Sequence, residues 1–126
     1  MKRGLLLFAH GARDPHWALP FQDVARRVGE RAPGLPVALC FLEFMSPGLL
    51  EGGGALAAAG CGRVDVVPLF LGAGGHVRND IPRLLAELGA AHPGVQWVLR
   101  PAVGETAPVI AAMADVALNW AADTQA

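Results

Sequence analysis

Apolar residues along the chain gather into four short runs, Leu5–Ala9, Val37–Leu42, Val64–Leu71 and Val95–Leu99, separated by longer segments of helical period. Runs this continuous bury both faces of a strand, the pattern of a parallel sheet covered by helices. Between them apolar side chains recur at i, i+3, i+4. Trp17, Phe21, Val24, Ala25 and Val28 line the first helical segment. Ile81, Leu84, Leu85 and Leu88 line the third, and Val109, Met113, Val116 and Trp120 the fourth. Start signals agree: Asp14 before Pro15, Asn79 or Asp80 before Pro82, and Thr106 before Pro108 each set a capping side chain ahead of a first-turn proline. The second segment, after Ser46-Pro47, carries Gly52-Gly53-Gly54, which weakens a helix by about 3 kcal/mol relative to alanine. It is still predicted helical, because consecutive parallel strands need a crossover. Close packing on the sheet or on a partner would account for the glycines.

The alternation predicts an α/β fold: a four-stranded parallel sheet flanked by helices, flavodoxin-like in strand order, with right-handed crossovers. A length of 126 residues suits one domain over 1–126. With 53% hydrophobic and 17% charged residues, against a usual charged share of about 25%, the chain is not of the disordered class. A net charge of −1 argues against a broad cationic face, so no nucleic-acid partner is expected. Leu5–Ala9 is shorter than the roughly 7–15 residues of a signal-peptide core. No apolar run approaches the ~20 residues of a membrane span, and a cytoplasmic location with no membrane partner is expected. Cys40 and Cys61 form no Cys-x-x-Cys or zinc spacing. Cys40 is expected in the core and Cys61 at a helix exit.

Ligands of open parallel sheets bind beyond the carboxyl ends of the strands. There the first run leads into His10-Gly11-Ala12-Arg13-Asp14-Pro15, the second into Glu43-Phe44-Met45-Ser46-Pro47, and the third into Gly72-Ala73-Gly74-Gly75-His76-Val77-Arg78-Asn79-Asp80. Two imidazoles, His10 and His76, and one carboxylate, Glu43, are thus expected on one rim. Such a set suits a divalent transition metal, and it suits proton transfer near neutrality. A carboxylate inside an apolar run is costly to bury unpaired, so Glu43 is expected at the rim or paired. Arg13 and Arg78 flank the histidines and suit an anionic substrate. Asp14 and Asp80 read as helix caps, His16 and His92 as surface residues. There is no phosphate loop and no nucleophile elbow, and Gly72-Ala73-Gly74 is followed by Val77 where a dinucleotide fingerprint has its third glycine, so no nucleotide cofactor is expected.

In three stretches, Leu7–Pro15, Phe41–Pro47 and Val67–Pro82, the sequence resembles the class II chelatases, above all the small single-domain sirohydrochlorin cobaltochelatases. The likeness runs from about Leu5 to Leu118. It implies a chelatase-type α/β half domain that inserts Co²⁺ into sirohydrochlorin, with Fe²⁺ or Ni²⁺ insertion in close relatives. It implies that His10 and His76 bind metal and catalyse, with Glu43 as acidic partner. The Gly52–Gly54 run departs from the charged helix expected there. No cysteine-rich tail is present, so no iron–sulfur cluster is expected.

Insertion exchanges two pyrrole protons for one M²⁺. Neutral His10 and His76 would hold the ion, so affinity should fall in acid. A freed imidazole would then take a pyrrole proton, Glu43 would orient or relay, and Arg13 and Arg78 would pair with substrate carboxylates. One sheet offers a flat macrocycle a single wall, so a homodimer is expected. Two other readings use the same residues. One is a Ni²⁺ or Co²⁺ carrier without catalysis. The other is a histidine phosphatase-like enzyme, disfavoured because Ala9 stands where such enzymes carry arginine.

Overall fold

The computed structural model describes residues 1–72 and 74–123, and of residues 75–78 the backbone alone. Strands β1 (Arg3–Ala9), β2 (Val37–Phe41), β3 (Arg63–Pro68) and β4 (Gln96–Leu99) form one parallel sheet in the order β2-β1-β3-β4. Every neighbouring pair is parallel, with Leu5 opposite Val37 on one side and Asp65 on the other. The expected flavodoxin-like order is therefore present, with its switch point between β1 and β3. The third strand ends at Pro68 rather than Leu71, although the Leu69 N–H still donates to the Phe8 carbonyl at 2.8 Å.

Helices α1 (Leu19–Arg31), α2 (Leu49–Ala58), α3 (Gly75–Ala91) and α4 (Ala107–Ala122) connect and follow the strands. The main core lies on the side of α2 and α3. Leu6, Phe8, Cys40, Val64 and Val66 from the sheet meet Leu49, Leu56, Ile81 and Leu88 from the helices. The glycines of α2 belong to this contact. A Cβ on Gly52 would collide with the Cys40 sulfur, and one on Gly53 with Leu88 and the Trp97 ring. Their missing side chains let α2 lie close on the sheet, and the dispersion and burial gained there offset the weak helix propensity.

A smaller cluster, Ala9, Ala18 and Phe41 with Trp17, Phe21, Leu39 and Met45 against it, joins the opposite face to α1. Asp14 does act as a cap, accepting a hydrogen bond from the His16 N–H at 3.0 Å. What it caps is a 3₁₀ turn over Pro15–Ala18 that precedes α1.

Two expectations need correction. The third helix does not begin at Asn79 or Asp80; it begins at Gly75, and Pro82 lies inside it. The missing Pro82 N–H removes one intrahelical bond, but Ile81 and Leu88 are buried and hold the helix on the core. The second concerns α4. It starts after Thr106, as expected, yet its apolar stripe is left largely open: none of its residues is buried, and of the stripe only Val109 is half-buried. Among the described residues no helix is long and apolar enough to cross a membrane.

Candidate functional site

The carboxyl ends of β1 and β2 stay paired beyond the strands. The Leu42 N–H donates to the Ala9 carbonyl at 3.0 Å, and the Glu43 N–H to the His10 carbonyl at 3.0 Å. This zipper sets His10 and Glu43 just past the ends of adjacent strands, at one rim. Gly11, at φ +93°, makes the zipper possible: a Cβ there would overlap the Glu43 carbonyl. Only glycine satisfies both the positive φ and the close approach.

The His10 ring is half-buried and stacks on Phe70, with centroids 4.1 Å apart and planes 24° apart. Phe70 is itself held edge-on by Phe8 at 5.2 Å. Two buried rings thus fix the plane of the imidazole, which stays half-buried. Glu43 is exposed, so the carboxylate is a rim group rather than a buried one. Next to it Phe44 takes φ +65° and is 57% exposed. A left-handed phenylalanine is strained by roughly 1–2 kcal/mol. The Arg13 guanidinium sits 4.7 Å from the centre of the Phe44 ring, close enough for a cation–π contact. A cavity of about 230 Å³ adjoins the His10 seat through Phe70, bounded also by Pro68, Ile81, Pro82, Leu99, Arg100, Pro101, Ala102 and Glu105.

His76 is the second residue of α3, a helix that starts past the carboxyl end of β3. The side chains of His76 and Arg78 lie outside the described residues. Among the described residues no three His, Cys, Asp or Glu side chains cluster as a metal site. His16 is exposed beside Asp14 at 3.2 Å, and His92 packs near Trp97. Cys61 is buried just ahead of β3. Cys40 is buried, and burial pushes its thiol up to about 12, which makes it a poor nucleophile or ligand near neutrality. Sequence reasoning passed over Phe70 and Phe44. Phe70 ends an apolar run and reads as core, which it also is; Phe44 carries a signal only through its backbone angle.

The sheet in the order β2-β1-β3-β4 thus carries His10 and Glu43 just past the ends of neighbouring strands, joined through their backbones. The CbiX family model matches residues 4–118, and the chain belongs to the CbiX family. A solved CbiX protein from Marinobacter aquaeolei VT8 superposes with a TM-score of 0.81 at 30% identity, covering 93% of this chain and 95% of that one. The sirohydrochlorin cobaltochelatase of Saccharolobus solfataricus is 40% identical over 84 residues, 65% of this chain and 62% of its own. The matched stretch thus spans less than two thirds of that relative's length. The fold also matches the cobalt complex of the sirohydrochlorin chelatase SirB from Bacillus subtilis subspecies spizizenii, with a TM-score of 0.73 at 24% identity, covering 80% of this chain and 44% of that one.

Proposed function

We propose that the protein inserts a divalent metal ion into sirohydrochlorin, with Co²⁺ the first candidate and Fe²⁺ or Ni²⁺ the alternatives. The observation that carries the reading is His10, stacked on Phe70 and zipped to Glu43 at the rim, in a chain of the CbiX family. The metal is a substrate here, not a resident cofactor. Insertion releases two pyrrole N–H protons for each M²⁺ that enters. A neutral imidazole at His10 ligates the incoming ion and leaves its remaining positions open to the ring nitrogens. Stacking on Phe70 keeps that imidazole from turning away. As the ion passes to the macrocycle, the released imidazole accepts a pyrrole proton, and Glu43, exposed at the neighbouring strand end, is proposed to pass protons to water. His76, at the start of α3, is proposed as the second metal ligand and base. Arg13, already on an aromatic face, is proposed to pair with a peripheral carboxylate of the substrate, and Arg78 likewise. A homodimer would supply the macrocycle with a second wall.

The test is spectral titration of sirohydrochlorin with Co²⁺, Fe²⁺ and Ni²⁺. The protein is expected to accelerate the absorption change, with a loss of at least 100-fold in His10→Ala and unchanged circular dichroism. Metal binding without acceleration would instead make it a carrier. Full turnover in either His10→Ala or His76→Ala would defeat the site assignment.

A further inference from the structure

On the reading of this chain as a sirohydrochlorin chelatase, on which this inference rests, we propose that Phe44 is the surface against which the substrate's planar ring stacks. Arg13, already on the Phe44 ring, then stands ready for one of the substrate's carboxylate arms. Three observations carry this.

The first is the backbone. Among the described residues Phe44 is the one non-glycine residue at positive φ, +65°. The chain is tied down on both sides of it. The Glu43 N–H donates to the His10 carbonyl at 3.0 Å. Met45 packs on the small cluster of Ala9, Ala18 and Phe41, and the Phe41 N–H donates to the Pro47 carbonyl at 2.9 Å. Between these anchors residue 44 is turned over. Strain of this kind persists only where the surroundings over-determine it, and it gathers at ligand sites. Glycine would take the same angle at no steric cost. A large aromatic side chain stands there instead.

The second is exposure. Phe8, Phe41 and Phe70 are buried and Phe21 is half-buried, whereas Phe44 is 57% exposed. The core therefore does not account for this ring. The third is its partner. The Arg13 guanidinium lies 4.7 Å from the ring centre, and Arg13 is itself exposed. The contact orients the ring and places a cation beside it.

The two residues come from different strand ends, Arg13 three positions past His10 and Phe44 one past Glu43. Along the chain these spacings cover at most about 11 Å and about 4 Å. A broad ligand seated over His10 thus reaches both. A small inorganic anion would use the cation and leave the ring idle; a purely apolar ligand would do the reverse. A flat conjugated ring with peripheral carboxylates uses the two together.

Binding of metal-free sirohydrochlorin, followed by its fluorescence, tests the stacking without any metal insertion. Phe44→Gly relieves the backbone angle, so its unfolding midpoint is expected to be no lower than that of the wild type. Its dissociation constant for the macrocycle is expected to rise by about three- to tenfold. In the chelation assay KM should rise likewise, with kcat changed by less than about twofold, as for an interaction equal in ground and transition states. Phe44→Tyr is expected to restore both constants to within about twofold. Wild-type affinity in Phe44→Gly, or an equal loss in Phe44→Tyr, would overturn the stacking and leave the chelatase reading in place. A loss of affinity that follows a change in sedimentation would make Phe44 a subunit contact and overturn it as well. A wild type that binds the macrocycle through Phe44 without accelerating insertion would overturn the chelatase reading and leave the stacking standing. A wild type that does not bind the macrocycle would overturn both.

Discussion

The two faces of this sheet are built from similar strands and end in different states. On the side of α2 and α3, Leu6, Phe8, Cys40, Val64, Val66 and Leu88 are fully buried. On the side of α1, neither α1 nor α4 contains a buried residue, and the sheet is covered well only near β2. Composition contributes, because Arg3, Arg63 and Asp65 alternate onto the α1 face while Leu6, Val64 and Val66 alternate onto the other. Close approach adds to it: Gly52 and Gly53 let α2 settle on the apolar face. A face is closed by geometry as much as by composition.

That contrast can be broken at several points. The largest effect is expected from Leu88→Ala, which opens a cavity in the closed face and should lower unfolding free energy by about 2–5 kcal/mol in urea titration. The same change at Leu118, 68% exposed on α4, should move it by less than about 0.5 kcal/mol. A loss of 2 kcal/mol there would mean that α4 is packed within its own chain. Smaller is the response to glycine replacement. Gly53→Ala must push Leu88 or Trp97 aside and should destabilise by about 1–2 kcal/mol despite the better helix former. Gly89→Ala on α3, where an added Cβ meets nothing within 4 Å, should stabilise by about 0.5–1 kcal/mol. Equal thermal shifts at both positions would remove close approach as the reason for the glycines.

A more localised effect concerns Cys40. Burial raises its thiol from an ordinary 9.0 to about 12. Above pH 9 the unfolded chain releases this proton while the folded chain keeps it, so stability falls as pH rises through that window. Thermal scans from pH 8 to 11 should show the decline, and Cys40→Ala should flatten it relative to the wild type. An unchanged slope in that variant would place the titration elsewhere.

Much of the site was legible before any coordinates. His10 and Glu43 stood out because polar groups directly after apolar runs fall at strand ends, where a parallel sheet binds ligands. Their backbone zipper and the exposure of Glu43 agree with that reading. Phe70 was hidden because an aromatic inside an apolar run serves core and site alike, and Pro82 misled because it looks like a helix start. Local propensity proposes a boundary there; the buried Ile81 and Leu88 overrule it.

The sequence by itself determined the four strands, their parallel order, the helix that follows each, and the placement of His10 and Glu43 just past the ends of neighbouring strands. These follow from periodicity and from the handedness of the chain, which every residue carries locally. Tertiary structure alone decided that α2 lies tight on the sheet, that an imidazole is pressed flat on Phe70, and that α4 stands away from its own core. Those outcomes depend on which atoms meet across long separations, a matter of shape that no stretch of sequence contains.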